Sequence, residues 1–319
     1  MVSTSDRPAP RALAALGGRL ATAALTAWAA VTITFFALRL GTGDPTASLL
    51  AQGLATPAQA DALRHELGLD RPLLEQYFTF LSGLVRGDLG LSLYTGRPVL
   101  RIIAEQAPST AELAGLGLVV AVGLGLLLGI VAAWFEGRAL GRAAAGLAGL
   151  ATALPVAFTG ILGLLLLVGL PGSVASPVWA PIRRLALPGL VLGYASSGAI
   201  ARVVQAGLSE SLLRPYILAA RARGVRPRAR ILWHALRPAL PPAVSLGALE
   251  AAYLFGGTVV TETVFSRPGL GRLLVGAILQ GDFPIAQGLV VLAAIVYTAS
   301  HFAADALAMT IDPRLRGQI

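Results

Sequence analysis

Twenty-three consecutive uncharged residues, Leu113 to Phe135, run between Glu112 and Glu136. About 20 apolar residues are enough to cross the hydrocarbon core of a bilayer as a helix. Five other stretches qualify. Leu20–Leu38 holds 19 residues between Arg19 and Arg39. Ala143–Ile182 holds 40, too many for one crossing; it reads as a helix from about 144 to 170, kinked at Pro155, then an outer loop with Pro171, Pro177 and Pro181. Leu185–Ala201 continues apolar past Arg202 to Leu208, Pro238–Thr261 is broken only by Glu250, and Phe283–Ala304 holds 22. The pattern predicts an all-α membrane protein with six transmembrane helices. Charge content agrees. Only 13% of the residues are charged, against about 25% in a soluble domain.

The residue types that are missing exclude several chemistries. The chain has no Cys, so disulfides, iron–sulfur clusters and Cys-ligated zinc are out. His65, His234 and His301 lie far apart, and none belongs to an HExxH pair. All 25 basic residues are Arg. A Walker A loop needs a Lys to reach the β- and γ-phosphates, so no ordinary P-loop site can form here. The net charge of +9 would suit nucleic acid in a soluble protein. In a membrane chain, Arg marks the cytoplasmic face, and no nucleic-acid partner is expected.

Arg placement also sets the orientation. With the N-terminus inside, fourteen Arg fall on inner segments and nine on outer ones. Arg183 and Arg184 run against the rule, but most outer Arg sit in one long loop, where the rule carries little weight. Both termini are therefore expected in the cytoplasm. The first apolar run exceeds a typical signal-peptide core and no clear small-residue cleavage site follows, so it reads as a retained helix. The expected organisation is a tail and first helix over 1–40 and an extracytoplasmic loop over 41–108. Helices two to six follow over 109–310, then a cytoplasmic tail over 311–319. The outer loop contains helix-like stretches at Pro57–Gly68 and Pro72–Arg86.

The inner loop at 209–240 carries the most information. It holds seven Arg against one Glu. Pro215 opens a helical stretch, as Pro favours a first turn. Gly224 allows a bend with positive φ, and a second amphipathic stretch runs from Arg226 to Leu236. Pro238, Pro241 and Pro242 are expected to end it at the membrane boundary. Ala219, Ala220 and Ala222 form a small-residue face that could settle into a groove on a partner. An Arg-rich anchor lying on anionic lipid headgroups fits the same residues.

Leu218-Ala219-Ala220-Arg221-Ala222-Arg223-Gly224 resembles the EAA loop of ATP-binding-cassette importer permeases. Leu218 stands where the general motif has Glu. Tyr216, Ala220, Arg221, Ala222 and Gly224 fit the Tyr-x-x-x-Ala-Arg-Ala-Lys-Gly form of the peptide-importer branch, with Arg223 for Lys. His234, Arg237 and Pro241 follow at the family spacing. The resemblance extends through Gly43-Asp44-Pro45, Gly87-Asp88-Leu89-Gly90-Leu91-Ser92, Leu154-Pro155, Glu262-Thr-Val-Phe265, Pro268-Gly-Leu-Gly271, Asp282-Phe-Pro284 and Asp312-Pro-Arg314. Each motif alone is weak; their order over about 270 residues is not. The chain is similar to B-type permeases of dipeptide, oligopeptide and nickel importers.

The resemblance implies a type I importer (MetI-like) permease fold with a large outer loop, in a bacterial inner membrane. It also implies partners: a paralogous C-type permease, two ATPase subunits and an extracytoplasmic substrate-binding protein. The helix over Tyr216–Gly224 would couple to the ATPases. ATP and Mg would be bound by those partners, with no cofactor in this chain. Peptides lead as substrate; nickel, other chelated metals and some sugars stay open.

Charges within spans are costly and mark candidate sites. Glu250, the most central, could line the pore or pair helices. Glu262 and Asp305 read as helix-end or interhelical hydrogen-bonding groups. His234 is expected to pack the inner loop against the membrane boundary. Gly125 and Gly129 form a Gly-x-x-x-Gly pair suited to close helix packing. Two other classes compete. A stand-alone secondary transporter usually shows internal repeats and broken helices around a midplane site, and neither is evident. An intramembrane enzyme needs a catalytic constellation at one depth. Ser300 and His301 are sequence neighbours, which do not face each other on a helix.

Overall fold

The computed structural model describes residues 9–41, 46, 50, 53, 56–66, 68–170 and 179–311. Gly43-Asp44-Pro45, Asp312-Pro-Arg314 and the side chain of Asp305 lie outside the described residues. The described chain is helical. In order it forms α1 (Ala9–Gly41), α2 (Pro57–Glu66), α3 (Leu73–Val85), α4 (Val99–Trp134), α5 (Ala139–Ala153), α6 (Val156–Val168), α7 (Leu187–Leu212), α8 (Pro215–Ala222), α9 (Leu236–Val264), α10 (Leu270–Gln280) and α11 (Phe283–Ile311). Wide π-helical turns, Ile182–Ala186 and Arg230–Ala235, lead into α7 and α9. Among the described residues, five helices are long and apolar enough to cross a membrane, or six if α5 and α6 count as one span.

That pair is the helix expected over 144–170, bent at Pro155, where a proline inside a span predicts a kink. Leu154 and Pro155 are both extended, with ψ of 130° and 138°, and the chain turns by 110° there. The residue before a Pro is disfavoured in the helical region, so the break falls at Leu154. The second span is also longer than its uncharged run. α4 begins at Val99 and passes through Pro108.

The inner prolines correct another expectation: Pro241 and Pro242 do not end a helix but lie inside α9. The carbonyls they leave without an i+4 donor are those of Arg237 and Pro238. Both residues are exposed, so water or headgroups can satisfy those carbonyls.

The chain divides into two compact units. One comprises Met1–Glu105, Leu273–Thr298 and Leu315–Ile319; the other comprises Gln106–Arg272 and Ala299–Arg314. In the first, α1 meets α3 through aromatic rings. Phe35 lies 5.3 Å from Tyr77 and 5.6 Å from Phe80, and Thr32 and Tyr77 share a 2.7 Å hydrogen bond.

In the second unit, α4 and α7 approach closely through glycine. A Cβ on Gly125 would lie 2.7 Å from Ile200, and one on Gly129 2.6 Å from the Ala201 carbonyl. On α7, a Cβ on Gly193 would lie 2.5 Å from the Gly117 carbonyl. The Gly-x-x-x-Gly pair thus packs against α7. Close backbone approach stands in for the hydrophobic drive that lipid does not supply. Ala121, Ile200, Val204 and Ala243 fill the adjoining core.

Candidate functional site

The candidate coupling segment is a Schellman-capped helix. In α8, Val225 N donates to the Ala220 carbonyl at 3.1 Å and Gly224 N to the Arg221 carbonyl at 3.0 Å. Gly224 sits at φ +77°. This is the left-handed cap position that glycine fills without steric cost. Ile217 and Ala220, three apart, are buried, Ile217 against Leu208, Ile231, Ala235 and Ala239. Tyr216, Ala219, Arg221, Ala222, Arg223 and Gly224 are exposed. The helix is pinned by one edge and presents the rest. His234 is exposed. Its Nδ1 lies 3.1 Å from the Ala229 carbonyl. Arg237 is exposed and Pro241 half-buried.

A second cluster joins two motifs of the first unit that are some 190 residues apart. Gly87 and Gly90 take positive φ, 78° and 80°. Asp88 Oδ1 accepts from Gly90 N at 2.8 Å, which closes the turn. This places Ser92, whose hydroxyl donates to Asp282 Oδ2 at 2.6 Å. Leu93 N donates to Oδ1 of the same carboxylate at 3.3 Å. Ser92 and Asp282 are buried. Removing a buried acceptor that holds two donors costs about 2–4 kcal/mol. Asp282→Ala is therefore expected to loosen residues 91–99, read as faster amide exchange there. Unchanged exchange would show that this carboxylate does not hold the motif. Elsewhere in this unit, the exposed His65 Nδ1 lies 2.7 Å from Asp70 Oδ2. That hydrogen bond holds the Asp70 carboxyl below the usual carboxylate range.

The third cluster is a corner between α9 and α10 in the second unit. Glu262 has no exposed surface. Its Oε2 accepts from Gly271 N at 2.8 Å and Arg272 N at 3.1 Å. Its Oε1 accepts from Thr110 Oγ1 at 2.6 Å, and Thr110 Oγ1 in turn accepts from Leu270 N at 2.8 Å. A carboxylate and a hydroxyl thus satisfy the first free amides of α10, the end where negative charge is favoured. The glycines of Pro268-Gly-Leu-Gly271 follow from this. A Cβ on Gly269 would lie 2.2 Å from Glu262 Oε1, and one on Gly271 2.4 Å from Val259 Cα. Arg267 closes the corner. It pairs with Glu112 at 2.7 Å and donates to the carbonyls of Ser109 and Arg184.

Glu250 differs from Glu262. It is half-buried beside the Ser196 hydroxyl, and its buried Oε2 has no hydrogen-bond partner among the described residues. No group of three or more metal-ligating side chains occurs among the described residues.

Residues 125–317 match the family model "Binding-protein-dependent transport system inner membrane component", and residues 13–114 match the model of its N-terminal region. The chain belongs to this family. It is the membrane-spanning permease subunit of an ATP-binding-cassette importer, a multi-pass inner-membrane protein. Such permeases have no ATP site of their own and work with a second permease, ATPases and a binding protein.

Similar proteins include a "Probable peptide ABC transporter permease protein" of Sinorhizobium fredii, 33% identical over 296 residues, 88% of this chain and 92% of that protein. The "Glutathione transport system permease protein GsiC" of Pectobacterium atrosepticum is 35% identical, over 89% of this chain and 92% of that protein. The "Di/tripeptide transport system permease protein DppB" of Pseudomonas aeruginosa is 30% identical, over 90% and 94%. The permease fold is shared with a solved structure of the inward-facing MetNI methionine transporter. The TM-score is 0.55 at 19% identity, covering 67% of this chain and 97% of that one.

Sequence reasoning missed two participants in this permease. Thr110 lies in the short polar stretch before the run Leu113–Phe135 and gave no signal. Asp282 was legible as part of Asp-Phe-Pro, but nothing in the sequence paired it with Ser92.

Proposed function

We propose that this permease forms, with a paralogous C-type subunit, the translocation pore of a di- or oligopeptide importer. Both termini would lie in the cytoplasm. The observation that carries the coupling role is α8: a short helix held by Ile217 and Ala220, with Tyr216, Ala219, Arg221, Ala222 and Arg223 left open and Gly224 ending it. Two ATPase subunits, each binding ATP and Mg, would dock under this helix and its counterpart. The outer region over 41–108, with its Gly87-Asp88-x-Gly90-x-Ser92 turn, would meet the substrate-binding protein. The names of the relatives support peptide as cargo.

Glu250 is the acid we assign to the translocation path, because an unpaired carboxylate oxygen inside a span is costly to keep without use. Glu250→Gln is expected to lower transport several-fold while leaving assembly intact. Wild-type transport in that variant would remove Glu250 from the path. Glu262, in contrast, is saturated by its own chain and is assigned a holding role. Asp305 is assigned to helix pairing by sequence alone.

The test of the whole reading is gentle-detergent purification of the chain from its native membranes. A second six-span permease and one or two Walker A polypeptides should come with it. A co-purified binding protein should bind di- and tripeptides and stimulate ATP hydrolysis when loaded. A chain that purifies alone as a stable homo-oligomer would overturn the assembly. A binding protein that takes nickel, a chelated metal or another small solute would overturn the cargo.

A further inference from the structure

The first unit contains a cavity of about 330 Å³. Its lining includes Arg39, Arg71, Gln76, Asp88 and Gln287, with Phe80, Leu89 and Pro284 as apolar wall. Pockets that take small ligands begin near this size, about 300 Å³. Arg39 is well fixed: its Nε donates to Gln76 Oε1 at 2.8 Å and its guanidinium lies 3.9 Å over the Phe35 ring. Its buried Nη1 nevertheless has no hydrogen-bond partner among the described residues. Gln287 is 5% exposed, and its Nε2 also has none. Two unsatisfied donors beside one cavity are unusual, because buried polar groups are nearly always paired.

Charge and level narrow the occupant. Arg39 and Arg71 against Asp88 leave a net charge of +1 on the lining. Asp88 already accepts from Gly90 N. One negative charge balances the site, as a phosphodiester carries; free phosphate at neutral pH carries more. Arg39 lies in the last turn of the span Ala21–Gly41, and Pro284 and Gln287 in the first turns of the span Phe283–Ala304. The ends of two spans meet at this cavity, and span ends face the headgroup region. We infer that the cavity is a phospholipid site, with the phosphodiester received by Arg39, Arg71 and Gln287 and the acyl end against Phe80, Leu89 and Pro284. Arginine forks suit phosphate oxygens, and basic pockets beside spans take headgroups. The inference is independent of the transported substrate.

The test uses the assembled importer, delipidated in maltoside detergent. Dioctanoyl phosphatidylglycerol, dioctanoyl phosphatidylethanolamine, dioctanoylglycerol and inorganic phosphate are titrated separately, and amide exchange over 68–90 is followed. Both phosphodiester lipids should protect this segment saturably, and the other two should not. Arg71→Ala, an exposed change, and Gln287→Met should each weaken the lipid midpoint about tenfold, the loss of one charge-assisted or buried hydrogen bond. Should Gln287→Met not assemble, Arg71→Ala decides alone. Equal protection by inorganic phosphate would make this a free-anion site, and equal protection by dioctanoylglycerol a purely apolar one. Either result overturns the inference, as does a midpoint unmoved in Arg71→Ala.

Discussion

Replacing Glu262 with Leu is expected to unfold the α9–α10 corner and to cost about 3–5 kcal/mol, as when one partner of a buried charged network is removed. The side chain holds three donors from its own chain, the amides of Gly271 and Arg272 and the hydroxyl of Thr110. Leu fills the volume but accepts nothing. Within a span no water replaces the lost acceptor, and each orphaned group costs several kcal/mol in hydrocarbon. The expected reading is a fall in the melting temperature of the purified permease by roughly 10 °C, or loss of folded protein from the membrane. Glu262→Gln keeps an acceptor oxygen and should lose about half as much, since charged hydrogen bonds are roughly twice as strong as neutral ones. Gly269→Ala reaches the same corner from the other side. Its Cβ would sit 2.2 Å from Oε1 and should mimic the Leu variant. A Leu variant that melts with the wild type would mean that α10 keeps its position without this carboxylate.

This corner also marks where the sequence stops being legible. Spanning runs are set by local composition, so five crossings and the α8 segment could be read directly. A Gly after a short apolar-basic stretch signals a left-handed cap, and Gly224 takes it. What composition cannot carry is the partner of a polar group. Glu262 stands at the end of the run Pro238–Thr261 and Glu250 near its middle, but neither position names a partner. Glu262 turns out saturated by donors from elsewhere on the chain, and Glu250 has an oxygen with no partner among the described residues. The difference lies in Thr110, an α4 residue some 150 positions away, and in the amides of Gly271 and Arg272 in the first turn of α10.

Proline was legible at Pro155, where the expected kink falls, and not at Pro241. Pro155 and Pro241 obey the same local rule, yet one breaks a helix by 110° and the other sits inside one. The outcome depends on where the freed carbonyl can be satisfied. For Pro241 that carbonyl belongs to exposed Arg237, and for Pro155 the preceding Leu154 adopts the extended form instead. Neither environment is written in the adjacent residues.

Gly224→Val should separate coupling from folding. A Cβ at this position meets nothing within 4 Å, so bulk alone does no harm. The strain is conformational: φ is +77°, and a branched L-residue there costs about 1–2 kcal/mol. The chain has a cheap escape. α8 is eight residues long, and a helix that short has little stability of its own. Unwinding its last turn relieves the strain by breaking the Val225–Ala220 and Gly224–Arg221 bonds. That displaces Ala219, Ala222 and Arg223, the exposed residues assigned to ATPase contact. Ile217 stays packed, so insertion and melting temperature should change little. Substrate-stimulated ATP hydrolysis and transport in reconstituted vesicles should fall about tenfold or more, the equivalent of 1.4 kcal/mol in docking. Gly224→Asn should recover part of the activity, because Asn tolerates the left-handed region. Wild-type transport by the Val variant would mean that the cap geometry is not what the ATPases read. A Val variant that fails to insert would place Gly224 in folding instead.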